Sequence, residues 1–93
     1  MTRVSAPDIE RCVLDLLRSR AETASICPSD VARALTHDED GWRDLMPAVR
    51  DVAARMAHRQ RLKITQGETT LDPDDIGHGP IRLRRGPGFP ASG

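Results

Sequence analysis

An α+β fold, three helices followed by a small antiparallel sheet, is what the 93 residues predict, and three observations predict it. Apolar residues recur at helical spacing in three separate stretches before residue 61. The spacing then switches to strict alternation. Proline, glycine and short acidic runs punctuate the places where one pattern gives way to the next. A chain of 10.2 kDa supports one modest core and not two. It is too short for a doubly wound parallel sheet with its crossover helices.

The first helix is expected over residues 7–20. Ile9, Cys12, Val13, Leu16 and Leu17 share one face there, and Cys12 is expected in the core. Ser5 or Ala6 precedes Pro7, whose missing N–H has no helical partner in a first turn, and Asp8 suits the positive helix end. Residues 24–26 are expected to form a very short strand. A second helix follows over 28–35, with Cys27 at its cap, Pro28 at its first position, Asp30 in its first turn, and Val31, Ala34 and Leu35 facing inward.

THDEDG (36–41) is a short polar turn, and the Thr36 to Glu39 spacing also fits a capping box. Beyond it, Trp42, Leu45, Met46, Val49, Val52, Ala53 and Met56 line one side of a third helix, with Trp42 as a core anchor. Pro47 interrupts the run. Residues 42–46 are therefore expected as a separate turn or kinked start, with the regular helix over 47–60. Leu62, Ile64 and Gln66 then alternate with Lys63 and Thr65, Gly67 offers a turn, and residues 69–71 extend or pair the strand. DPDDIGHGP (72–80) leads to the alternating Ile81, Arg82, Leu83 and Arg84, so the two strands read as a hairpin with a long loop. One domain is expected over 1–85, with 86–93 (GPGFPASG) as a flexible tail.

Helix, tiny strand, helix, short turn, helix, hairpin is the order of a winged helix-turn-helix. That arrangement presents its third helix to the major groove and its hairpin loop to the DNA backbone. The fourteen basic and fourteen acidic side chains cancel, but residues 1–48 hold six basic and nine acidic groups, and residues 49–93 eight and five. The positive charge thus gathers where such a fold contacts duplex DNA. Arg43, Arg50 and Arg61 are expected to project from one side of the third helix, with Arg50 reaching a base edge or phosphate. His58 stands on the same polar side. Lys63, Arg82, Arg84 and Arg85 belong to the hairpin and suit phosphate. Each also has a plainer reading, as a solvated or ion-paired surface side chain, and Asp72, Asp74 and Asp75 in the would-be wing repel the backbone it should approach.

Other chemistry is poorly supported. His37 and His78 lie in loops with no cysteine at a zinc spacing, so no metal site is expected. Cys27 at a helix start is read as a capping or half-buried thiol, and no basic partner is fixed beside it by sequence. Two cysteines are too few for a disulfide framework. No nucleophile elbow, phosphate loop or catalytic dyad is legible, so no catalysis and no cofactor is expected. No run of 18 apolar residues spans a membrane, and Met1 does not lead into a basic and then apolar leader, from which a cytoplasmic location is expected.

ICPSDVARAL (26–35), WRDLMPAVR (42–50), ITQ (64–66) and GPIRLR (79–84) resemble the signatures of a bacterial family of small proteins known only as a domain of unknown function. The resemblance runs from about residue 9 to residue 85, with the motifs in the same order. It implies a fold similar to a winged helix, and it implies no activity and carries over no catalytic residue. LDPDDIGHGP (71–80) resembles the family's loop and shows no catalytic pattern. Two functions are therefore expected, the first preferred and the second its alternative. One is double-stranded DNA binding through the third helix and the hairpin, in a regulatory role that a homodimer would strengthen. The other is a winged-helix protein-interaction module without nucleic-acid binding.

Overall fold

Ser5 and Asp8 start the first helix reciprocally. The Ser5 Oγ accepts the Asp8 backbone N–H at 3.3 Å, and the Asp8 carboxylate accepts the Ser5 backbone N–H at 3.0 Å. The structure, a computed structural model, describes residues 4–36, 38, 40–77 and 79–90. Helix α1 is Ala6–Arg18, closed by Ser19 at its C-cap, where the hydroxyl donates to the Leu16 carbonyl at 2.7 Å. It ends two residues before the expected Arg20. Ile9, Val13 and Leu17 are buried, whereas Cys12 and Leu16 are only half-buried. Those two stand on the shoulder of the helix, where Cys12 packs against the core as expected without being enclosed by it.

Strand β1 is Ser25–Ile26, and helix α2 is Pro28–Leu35. Cys27 is the N-cap and donates its backbone N–H to the Asp30 carboxylate at 2.9 Å. Pro28, Val31 and Ala32 form the buried stripe of α2, while Ala34 is exposed and Leu35 half-buried. Val31 and Leu35 thus face the core as expected, and Ala32 takes the inward place expected for Ala34. Residues 37, 39 and 78 lie outside the described residues, and with them the expected capping box through Glu39 and the placement of His37 and His78.

Helix α3 is Gly41–His58, continuous through Pro47, and not the turn plus shorter helix that the proline suggested. Pro47 is exposed, so the Arg43 carbonyl that loses its N–H partner there stands on the solvated side of the helix. The apolar stripe of Val49, Val52, Ala53 and Met56 is buried, and that burial outweighs the local penalty. The helix also stops two residues short of Gln60. The Gln60 N–H bonds the Ala57 carbonyl and the Arg61 N–H bonds the Met56 carbonyl, a Schellman ending with Gln60 at φ 61°.

Strands β2 (Leu62–Gln66), β3 (Thr69–Thr70) and β4 (Arg82–Arg85) complete a four-stranded sheet of order β1-β4-β2-β3. Every pairing is antiparallel, and β4 lies between β1 and β2. Gly67, at φ 61°, makes the tight turn that folds β3 back on β2. The expected hairpin is thus β2 with β4, its long connection holding the extra strand. Ile26, Leu62, Ile64 and Leu83 point from the sheet into the core formed with the three helices. This α+β architecture is compatible with a winged helix.

The described part of the expected tail is tied down. Gly86 donates its N–H to the Arg61 carbonyl at 3.1 Å and Gly88 to the Gln60 carbonyl at 2.7 Å, and Phe89 packs against the core. No helix among the described residues is long and apolar enough to cross a membrane.

Candidate functional site

Eight side chains were expected at a nucleic-acid interface, and the fold gives six of them partners within the protein. The Arg50 guanidinium, on the third helix, donates to the carbonyls of Gly77 and Gly79 at 3.0 and 3.3 Å, fixing the β3–β4 connection to α3. His58 Nε2 lies 2.8 Å from the Asp74 carboxylate in that same connection. Arg61 is not on α3, since the helix ends at His58, and its guanidinium pairs with Glu10 of α1 at 2.9 Å. It therefore does not share a helical face with Arg43 and Arg50.

The three β4 arginines reach toward the N-terminal half of the chain. Arg82 donates to the Ser25 hydroxyl and carbonyl at 2.8 and 3.0 Å and to the Cys27 sulfur. Arg84 donates to the Thr23 carbonyl at 2.7 Å. Arg85 donates to the carbonyls of Leu17 and Arg20 at 2.9 and 3.1 Å and lies 4.7 Å from the centre of the Phe89 ring. These bonds hold the guanidinium groups in place without neutralising them, because a carbonyl accepts a proton donor but carries no compensating charge.

Arg43 and Lys63 remain turned to solvent. Arg43 lies 5.3 Å from the Trp42 ring centre, and Arg33 of α2 lies 4.5 Å from the same ring. Trp42, expected as a core anchor, packs half-buried against the core at the α2–α3 turn, with these two cations over its ring. Lys63 of β2 is the register partner of Arg84, and Arg82 stands two residues along on the same outward face. None of the ion pairs among the described residues includes Lys63, Arg82 or Arg84. The β2–β4 connection has the opposite character: residues 67–81 contain Glu68, Asp72, Asp74 and Asp75 and no lysine or arginine. The element expected to approach a DNA backbone is acidic, and the cations lie on the outer sheet face.

A second surface was not expected. Between α1 and α2 runs an open groove of about 590 Å³, lined by Val4, Cys12, Leu16, Ala34 and Leu35 and rimmed by Asp8, Arg11 and Asp15. Burial pushes the Cys12 thiol above its ordinary 9.0, and the Asp15 carboxylate pushes it further the same way. Hydrogen bonds from the Ser5 backbone and hydroxyl hold the Asp8 carboxyl below its usual range. Sequence reasoning missed the groove because Cys12, Leu16 and Leu35 fit a helical core stripe as well as they fit a groove wall. The distinguishing signal was the row of charges immediately beside them on the first helix.

A family model described as "Protein of unknown function (DUF3253)" matches residues 6–86. No curated protein matches the chain.

Proposed function

Because the chain belongs to the DUF3253 family, which brings no activity with it, we propose from its surface that it is a non-catalytic protein-interaction module working through the α1–α2 groove. The observation that carries this reading is the groove itself. Half-buried Val4, Cys12, Leu16 and Leu35 leave apolar surface open to water beside charges of both signs, which is the apolar centre and polar rim of a protein interface. The experiment compares affinity capture from extracts of the source organism by the wild-type chain and by Leu16→Asp. The reading expects proteins held by the wild type, lost with the variant, and binding the purified chain with a measurable Kd. An identical set retained by both chains overturns it.

A second reading, duplex DNA binding with a role in transcriptional regulation, is favoured by one specific observation. Lys63 and Arg84 face each other across β2 and β4 with Arg82 beside them, and like charges directly opposite on a sheet repel unless an anion lies over them. This reading moves the contact from the third helix and the acidic connection to the outer face of the sheet. It is separated from the first by salt dependence, because contacts with phosphates release counterions and contacts with an apolar groove do not.

A further inference from the structure

We propose that the occupant of the α1–α2 groove is a second copy of this chain, docked with its α1 antiparallel to the first. The inference rests on reading the groove as a protein interface. The outward stripe of α1, opposite the buried Ile9, Val13 and Leu17, reads Asp8, Arg11, Asp15, Arg18. Spacings of three, four and three keep these four on one side of the helix. Their charges alternate, minus, plus, minus, plus.

That sequence of charges is complementary to its own reverse. An antiparallel pair of α1 helices with the two-fold axis at the level of Val13 sets Arg11 opposite the second copy's Asp15, and Asp8 opposite its Arg18. Every carboxylate then faces a guanidinium, and each contact occurs twice by symmetry. A parallel pair sets like on like. Among the described residues the only ion pair in the stripe is Arg18 with Asp15, at 3.7 Å with side chains 31% and 65% exposed, while Arg11 acts on Asp8 through its field and makes no salt-bridge contact.

The apolar shoulder supplies the other half of the contact. Cys12 and Leu16 flank the charged stripe on the side toward α2, where Leu35 continues the surface. Exposed ion pairs contribute little affinity, so the charges fix register and direction while the apolar side chains supply the binding. The chain as a whole carries formal net charge +0, and therefore has no long-range repulsion to overcome when two copies approach. An unrelated partner would have to match the alternation; a second copy matches it by symmetry.

Sedimentation velocity of the full 93-residue chain tests the inference across concentrations from about 1 μM to about 1 mM, a span that includes weak self-association. Four chains are compared: wild type, Arg11→Asp, Asp15→Arg, and the double exchange Arg11→Asp with Asp15→Arg. Both positions are exposed, and far-UV circular dichroism confirms that each variant is folded. The wild type is expected to dimerise, each single exchange to weaken dimerisation by about tenfold, and the double exchange to restore it, since it reverses the sign of both pairs between positions 11 and 15 and leaves the two between Asp8 and Arg18 as they were. A wild type that stays monomeric throughout, or a double exchange that fails to recover what the single ones lost, overturns the inference. The Leu16→Asp capture comparison reads separately on the groove: a monomer whose captured proteins are still lost with Leu16→Asp defeats self-docking and leaves the interface reading standing.

Discussion

Arg85 shows how a side chain that suits phosphate becomes part of the scaffold. The guanidinium donates to the Leu17 carbonyl in the last turn of α1, which also accepts the Arg20 N–H, and to the Arg20 carbonyl just beyond the helix, while its cation lies over the Phe89 ring. Hydrogen bonds from a charged donor contribute more than neutral ones. Arg85→Ala is therefore expected to destabilise the domain by about 2 kcal/mol in urea unfolding, with Arg85→Lys recovering only part because it lacks the fork. An unchanged midpoint for Arg85→Ala contradicts this role. Ser5 makes a second residue-scale prediction. Ser5→Ala is expected to cost about 1 kcal/mol through loss of the cap. Asp8 adds a pH dependence of known sign: its carboxyl is held below its ordinary 3.8 by the Ser5 donors, so its stabilisation is full above that value and is lost as pH falls through the lower folded one. Acid titration of the unfolding midpoint checks it, and Ser5→Ala is expected to shrink that acid limb only in part, because the Ser5 backbone N–H, the larger of the two donors, remains.

The helices were legible because burial enforces their period, and the errors fell where two residue roles share one pattern. Leu16 and Leu35 fit a core stripe and a groove wall equally, so spacing alone turned Ala34 inward and did not separate Cys12, which packs against the core while lining the groove, from the fully buried Val13. Pro47 was read as a break, yet the buried stripe from Val49 to Met56 carries α3 through it. The end of α3 was illegible for another reason. Gln60 takes the left-handed conformation that glycine usually fills, and nothing in its side chain announces it. Gln60→Gly is accordingly expected to stabilise the domain by about 1 kcal/mol, read as a higher unfolding temperature. Gly86 makes the opposite prediction. A Cβ there would stand 2.5 Å from the Gln60 carbonyl oxygen and 2.9 Å from the Leu62 nitrogen, both backbone atoms with little freedom to retreat. Gly86→Ala is expected to destabilise by about 1–3 kcal/mol, and a neutral result would contradict the close packing of the chain after β4 against the turn into β2.

At the scale of the whole molecule, the sequence showed how much charge each half holds and concealed what each charge faces. The order of elements was enough to place positive residues near a third helix and a hairpin. It could not reveal that Arg50 would bind Gly77 and Gly79, or that Arg61 would pair with Glu10 across 51 residues of chain, because such partners are brought together only by tertiary packing. The resulting surface has an acidic β2–β4 connection, cations on the outer sheet face and an apolar groove between α1 and α2. The most direct measurement is fluorescence anisotropy of a labelled random-sequence duplex of about 20 base pairs, titrated with the chain at low and physiological salt. A groove-directed protein module predicts no binding up to about 100 μM at either salt, beyond the range where non-specific DNA binding ordinarily begins. Binding that is tight at low salt, falls steeply as salt rises and weakens with Lys63→Glu would contradict it, and would assign the exposed sheet cations to a phosphate backbone.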